Sequence, residues 1–228
     1  MSENAVQRRS GRGRFITFEG GEGAGKSTQI KKLADRLNAA RMRTLVTREP
    51  GGSPGAEIMR HLVLPGMGKL LGPEAETLLF AAARDDHVRT VIQPALNRGA
   101  WVLCDRFADS TRAYQGSLGR VPMGLINAMQ RVTIGDLKPD LTIILDLPVE
   151  IGLQRAAARR GNGTPDRFEG ENLKFHQGLR EAYRKIAAEE PERCVLIDAN
   201  SDPDTVAGRV WTALRERLLP TPASVISA

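Results

Sequence analysis

An α/β domain, with a five-stranded parallel sheet flanked by helices on both faces, follows from three features of the sequence. Five short apolar runs alternate with stretches of helical periodicity, and they read as continuous runs, as strands covered on both faces do. The first run breaks into glycines and then launches a helix. At 228 residues, 41% of them hydrophobic and 26% charged, the chain can bury one full core, so a single domain is expected.

Strand one is Phe15-Ile16-Thr17-Phe18, continued by Glu19-Gly20-Gly21-Glu22-Gly23-Ala24-Gly25-Lys26-Ser27-Thr28. Gly20, Gly25, Lys26 and Ser27 satisfy G-x-x-x-x-G-K-[ST], the phosphate-binding loop pattern. Glycines let successive N–H groups converge on phosphate oxygens, and the next helix aims its positive N-terminal end at the same anion. Lys26 can reach the β- and γ-phosphates of a nucleotide, and the Ser27 hydroxyl can bind Mg²⁺. The nucleotide site therefore runs through Gly20, Gly21, Glu22, Gly23, Ala24, Gly25, Lys26, Ser27 and Thr28, and the domain is P-loop kinase-like. The following helix, about 26–41, carries Ile30, Leu33, Ala34 and Leu37 on one face.

The second strand, Thr44-Leu45-Val46-Thr47, ends in Arg48-Glu49-Pro50-Gly51-Gly52. Arg48 then sits at a strand's C-terminal edge, where open parallel sheets bind ligands, although Arg48 and Glu49 could equally be a solvated pair at a turn. A helical piece about 56–64 precedes a longer helix, about 74–97, in which Phe80 and Arg84 share a face. Ring and guanidinium could stack on and hydrogen-bond a nucleobase; the plainer alternative is a core phenylalanine beside a surface arginine. The third strand, Trp101-Val102-Leu103-Cys104, ends in Asp105-Arg106-Phe107, which a parallel sheet lands beside the phosphate loop. Asp105 can hold Mg²⁺ or its water and Arg106 offers a fork to a phosphate, against the alternative of a surface ion pair. The polar segment Ser110-Thr111-Arg112-Ala113-Tyr114-Gln115 follows.

On the helix about 122–135, Leu125, Ile126, Met129 and Val132 form a stripe destined for the core or a dimer interface. Leu141-Thr142-Ile143-Ile144-Leu145-Asp146 is the fourth strand, and Pro148 suits the first turn of the next helix. That helix ends with Arg155, Arg159 and Arg160, and Arg167 lies beyond a glycine-rich loop. These arginines flank a lid, about 155–170, able to close over a triphosphate and exclude water; the alternative is a solvated basic helix end. A helix about 171–190 turns Leu179, Tyr183 and Ile186 inward. Cys194-Val195-Leu196-Ile197-Asp198 is the fifth strand, and Asp202-Pro203 caps a last helix bearing Val206, Val210 and Leu214. Residues 1–13 read as a basic, disordered arm and 219–228 as a loose tail, leaving 14–218 as the folded domain.

A net charge of +6 would suit nucleic-acid binding. Part of it lies in the arm and part in the phosphate-clamp segments, so nucleic acid is not the expected partner. No apolar run approaches the roughly 20 residues of a membrane span, and no secretory signal is present, so a cytoplasmic protein is expected. Cys104 and Cys194 sit within apolar runs as packing residues. His61, His87 and His176 are far apart and lack metal-ligand spacing.

In combination, FEGGEGAGKST, TREPGG, LLFAAARDDH, DRFADSTRAYQG and the arginine segment ending in DRFE closely resemble the thymidylate kinases, from Arg14 to about Leu218. The resemblance implies a nucleoside-monophosphate-kinase-like fold, transfer of the γ-phosphoryl of ATP to dTMP with Mg²⁺, and a homodimer. It implies that Lys26, Ser27 and the loop glycines hold ATP, and that Arg106 and Arg48 hold the dTMP phosphate. Phe80 would stack on thymine with Arg84 near its O4, while Thr111, Tyr114 and Gln115 line base and sugar and Glu22 lies near the sugar 3′-hydroxyl. Gly23 fills the loop position that carries arginine in other members, so the lid would supply the charge, as in bacterial-type members. The implied catalytic set is Lys26, Glu22, Arg106, Arg159, Arg160 and Arg167, with Ser27 and Asp105 as metal ligands. Phe107, where tyrosine is common, and the basic extension 1–13 depart from the pattern.

Transfer between two anions asks mainly for positioning and charge, and no general base is needed when the acceptor is a phosphate oxygen. Two rivals stand beside this reading. A deoxynucleoside kinase would recruit Glu22 or Asp105 as base, and a nucleic-acid-binding P-loop ATPase would exploit the basic charge.

Overall fold

The computed structural model describes residues 13–66, 70–163 and 167–219. The expected arm (1–12), most of the expected tail (220–228) and lid residues 164–166 lie outside them. In chain order the elements are β1 (Phe15–Gly20), α1 (Lys26–Ala39), β2 (Thr44–Arg48), α2 (Pro54–Val63), α3 (Pro73–His87), α4 (Gln93–Asn97) and β3 (Trp101–Asp105). They continue with α5 (Ala108–Thr111), α6 (Met123–Thr133), β4 (Leu141–Asp146), α7 (Val149–Arg160), α8 (Leu173–Glu189), β5 (Cys194–Asp198) and α9 (Pro203–Leu218).

The strands form one parallel sheet in the order β2-β3-β1-β4-β5. β1 is buried along its whole length because both its faces are covered. Ile16 and Phe18 face one way and join Leu33 and Leu37 of α1 with Val210 and Leu214 of α9. Phe15 faces the other way, into Val88, Ile92, Leu96, Val102 and Phe107. Further along that second face, α8 sets Leu179, Tyr183 and Ile186 against Ile144. Between β1 and β4, Thr17 and Thr142 share a hydrogen bond of 2.8 Å inside the sheet.

The expected helix 74–97 is present as one rod with a widened, π-helical turn at Val88–Ile92, where the Gln93 N–H reaches back to the Val88 carbonyl. Pro94 follows at once; it has no N–H to give to a preceding carbonyl, and a looser turn accommodates its ring. The stripe on α6 divides: Ile126 and Met129 enter the core, whereas Leu125 and Val132 remain exposed.

The chain reaches β2 and β3 on one side of β1 and then crosses to β4 on the other, so the sheet's switch point lies at the C-terminal end of β1, where open α/β sheets bind ligands. The glycine loop emerges there and rests directly on α7. Gly23 has φ 66°, and a Cβ on it would stand 2.0 Å from the Gly152 carbonyl oxygen; a Cβ on Gly152 would stand 2.4 Å from the Glu22 carbonyl oxygen. Helix propensity alone favours Gly152→Ala by roughly 1 kcal/mol. The contact with the loop backbone is expected to reverse that, lowering both the melting temperature and turnover. A variant melting at or above the unmodified protein would contradict this packing.

Candidate active site

Lys26 is buried and its ammonium donates to the carbonyls of Gly20 (3.2 Å) and Gly21 (3.0 Å), curling back over the loop. Burial lowers its pKa, and Arg106 adds to that, against the pull of Asp105, Glu22 and Glu19. Next along the helix, Ser27 Oγ donates to Asp105 Oδ2 at 2.9 Å, so the two expected metal ligands, from α1 and the tip of β3, meet.

Arg106 follows Asp105 with φ 68°, a left-handed backbone that L-residues rarely adopt. That turn sends its side chain back across the loop. Nη2 donates to Glu22 Oε1 at 2.7 Å, and Nη1 reaches the Gly20 carbonyl and the Tyr183 hydroxyl, both at 3.2 Å. Tyr114 also donates to Glu22, at 3.1 Å. Burial would raise the Glu22 pKa, but Arg106, Lys26, the Tyr114 hydrogen bond and His176 together hold it down at about 2.

On the far side of Arg106 lies a second buried cation. Arg84 Nε donates to Glu49 at 2.7 Å, and its Nη2 donates to the Phe107 carbonyl (3.2 Å) and Thr111 Oγ1 (3.0 Å). Glu49 is itself buried and contacts His87 Nδ1, whose other nitrogen lies 2.6 Å from Thr47 Oγ1. Arg84 is therefore held rigidly, one turn of α3 beyond the half-buried ring of Phe80. Gln115 donates to Glu76 at 3.4 Å. Arg48, half exposed, pairs with Glu57 at 2.8 Å.

None of the three plainer alternatives for these residues holds. Glu49 pairs with Arg84 rather than with Arg48, and Arg84 is the buried member of the Phe80–Arg84 pair. Asp105 and Arg106 turn to Ser27 and Glu22 rather than to each other.

The lid divides between two sides. Arg159 and Arg160 both donate to Glu169, at 3.0 and 2.9 Å. Arg167 forms an ion pair with Glu76 of α3, and its N–H donates to the Leu64 carbonyl, so this residue lies against α3 and the end of α2. Phe168 stands edge-on to Tyr114 at 4.9 Å between centroids and 6.3 Å from Phe80.

One cleft of about 920 Å³ collects most of these groups: the loop from Glu22 to Thr28, then Arg48, Phe80, Arg84, Asp105, Arg106, Thr111, Tyr114, Gln115, Arg155 and Arg159. Gly20, Gly21, Arg160 and Arg167 are not among its lining residues. The thymidylate kinase family model matches residues 18–210. The chain belongs to the thymidylate kinase family. A Bradyrhizobium diazoefficiens protein named thymidylate kinase is 90% identical over 227 residues, 100% of both chains. Proteins of the same name from Nitrobacter hamburgensis and Rhodopseudomonas palustris are 76% identical over 208 residues, 91% of this chain and 90% of the relative, and 73% identical over 212 residues, 92% of each.

In this thymidylate kinase family member the cleft also takes in Ala199, Asn200, Ser201 and Asp202, of which the sequence marks Asp202 alone, as a helix cap. Polar residues in a loop after the last strand were the available signal. Glu19 was passed over as well. It is fully buried at the end of β1 and accepts from the Phe107 N–H (2.8 Å), the Ser110 hydroxyl (2.7 Å) and the Tyr183 hydroxyl (3.0 Å). A glutamate inside a run that is otherwise wholly interior was the clue.

Burial, and then the nearby Asp109, push the Glu19 pKa up to about 7, against Ser110, Arg106 and the Phe107 amide; Lys26, Tyr114, Tyr183 and Cys104 also lie within its field. A carboxyl raised in the folded state contributes stability that is complete below its ordinary value of 4.5 and is lost as pH rises through 7. Between pH 5 and 8, thermal melts of the unmodified protein should fall relative to those of Glu19→Gln, which has no proton to lose. A gap independent of pH would contradict the raised value.

Proposed function

We propose that this chain transfers the γ-phosphoryl group of ATP to dTMP, giving ADP and dTDP. The observation that carries the reading is Arg106, fixed between the phosphate loop on one side and the Arg84–Phe80 platform on the other. A nucleoside monophosphate whose base meets Arg84 and Phe80 would bring its phosphate to Arg106 and Arg48, facing the loop end where Lys26 and the helix N-terminus await a triphosphate. The loop 199–202 then offers the donor base its place.

Ser27 and Asp105 are hard oxygen donors at hydrogen-bond distance from each other, which fits Mg²⁺. Among the described residues no cluster of three His, Cys, Asp or Glu forms a cage, so phosphate oxygens and water would complete the coordination. A Mg²⁺ ion held by Ser27 and Asp105 would supply charge neutralisation to the phosphates of ATP. The lid arginines Arg155 and Arg159 stand at the cleft to meet charge that develops on the transferred group.

Glu22, held at about 2 by Arg106, is a poor proton acceptor at neutral pH, and this favours a phosphate acceptor over a hydroxyl. No helix among the described residues is long and apolar enough to cross a membrane. We place the enzyme in the cytoplasm and assign the exposed Ile58, Leu78 and Val132 of α2, α3 and α6 to a homodimer interface, which sedimentation equilibrium reads directly.

A screen of nucleoside monophosphates with ATP and Mg²⁺ tests the assignment. Arg84 can donate to a thymine carbonyl and cannot accept from the amino group of cytosine, a mismatch worth roughly 10⁴-fold in a site built for the hydrogen bond. The thymine methyl is worth only about 1–3 kcal/mol. The expected order is dTMP, then a measurable dUMP, with dCMP, dAMP and dGMP negligible; Arg84→Ala should erode the discrimination against dCMP. Turnover of dCMP equal to that of dTMP would overturn the proposal.

A further inference from the structure

Glu19 has no place in the phosphoryl-transfer scheme above, yet its partners all converge on Arg106. Phe107, whose N–H it accepts, is the residue that leaves the left-handed turn at Arg106. Ser110 Oγ and Tyr183 OH, which both donate to Glu19 Oε2, lie 3.4 and 3.2 Å from Arg106 Nη1 and 2.9 Å from each other. A guanidinium only donates. Both hydroxyls must therefore turn lone pairs toward Arg106 and send their protons the other way, where the Glu19 carboxylate, an acceptor at both oxygens, receives them. Replace that carboxylate by a group that donates from one side, and at least one hydroxyl has to reverse and aim its proton at the guanidinium, or the Phe107 N–H has to face another donor.

We propose that Glu19 is a positioning residue for the acceptor-binding arginine: by fixing the direction of the Ser110 and Tyr183 hydroxyls and pinning the Phe107 amide, it sets the orientation from which Arg106 meets Glu22 and the acceptor phosphate. The inference rests on the assignment of Arg106 to the acceptor phosphate. It assigns the fully buried charge to the reaction rather than to packing, and it explains why Tyr183, from the face of α8 that packs Leu179 and Ile186 into the core, delivers its hydroxyl to the end of β1. The preceding strand residues Ile16 and Phe18 serve the core alone, so Glu19 is the point at which β1 passes from packing to site.

Steady-state kinetics at pH 8.5, with dTMP and ATP varied separately, test it on Glu19→Gln, Tyr183→Phe, their combination and Arg106→Lys. Glutamine matches glutamate in shape and reverses its polarity on one side, so a residue that only fills space would tolerate it. Glu19→Gln is expected to lower kcat/KM for dTMP by about tenfold or more while the KM for ATP stays within about threefold, since the lost interaction acts on the acceptor arginine. Tyr183→Phe should act in the same direction and more weakly, and the double variant should lose less than the product of the two, because both act through one network. Acceptor kinetics of Glu19→Gln within twofold of the unmodified enzyme, with Arg106→Lys impaired, would overturn the positioning role and leave the acceptor site standing. An equal loss toward ATP and dTMP would also overturn it, by marking a general packing role. Unchanged dTMP kinetics in Arg106→Lys would instead overturn the acceptor assignment beneath it. If Glu19→Gln does not fold, Tyr183→Phe decides: dTMP kinetics equal to those of the unmodified enzyme would refute the proposal.

Discussion

The parallel pairing of β1 with β3 sets Phe18 opposite Asp105, and the Arg106 N–H extends the ladder by donating to the Phe18 carbonyl at 2.9 Å. β3 ends at Asp105, level with Phe18, and β1 runs on through Glu19 to Gly20, so the Asp105-Arg106-Phe107 turn passes beside the last residues of β1 and the start of the glycine loop. From that one register follow the Ser27–Asp105 contact, the Arg106–Glu22 ion pair and the Glu19–Phe107 hydrogen bond. A slip of one residue would exchange the two faces of β1, placing Phe18 and Glu19 on the wrong sides, so the core and the site enforce the same alignment.

Arg106 carries the cost of this arrangement in its backbone. A non-glycine residue in the left-handed region is strained by about 1–3 kcal/mol, and it persists where the surroundings over-determine it. Here Glu22, Gly20, Ser110 and Tyr183 all hold the side chain, and the Phe18 and Glu19 contacts hold the backbone on either side. The same principle governs Arg84, which is locked by Glu49, Phe107 and Thr111. Arg84, buried, and Arg106, partly buried, are both fixed by the protein's own groups, so in the proposed reaction little would have to reorganise on binding phosphate and base.

The central strands β1, β3 and β4 were legible because they are largely interior and so read as unbroken apolar runs, and the loop was legible because phosphate binding constrains consecutive residues. Contacts between distant segments were not. Glu49 and Arg84 lie 35 residues apart, and nothing in either neighbourhood shows that one neutralises the other. Glu19 looked like the polar end of a strand, since a buried carboxylate and a solvated one have the same letter; only the arrival of Tyr183 from α8 and Ser110 from α5 separates them. Tyr183 was rightly assigned to the interior from its spacing with Leu179 and Ile186, but the spacing does not show where its hydroxyl points. Arg159 and Arg160 go to Glu169 and Arg167 to Glu76 of α3, and this too depends on tertiary placement.

In the proposed reaction phosphoryl transfer takes place at the loop that ends β1, and Lys26, whose ammonium contacts the Gly20 and Gly21 carbonyls, would give its charge to the donor phosphates. Turnover of Lys26→Ala at saturating ATP, Mg²⁺ and dTMP, measured alongside its thermal melt, tests this most directly. A loss of several powers of ten in kcat with an intact cooperative melt is the predicted result. Near-normal turnover by a normally folded Lys26→Ala would contradict it.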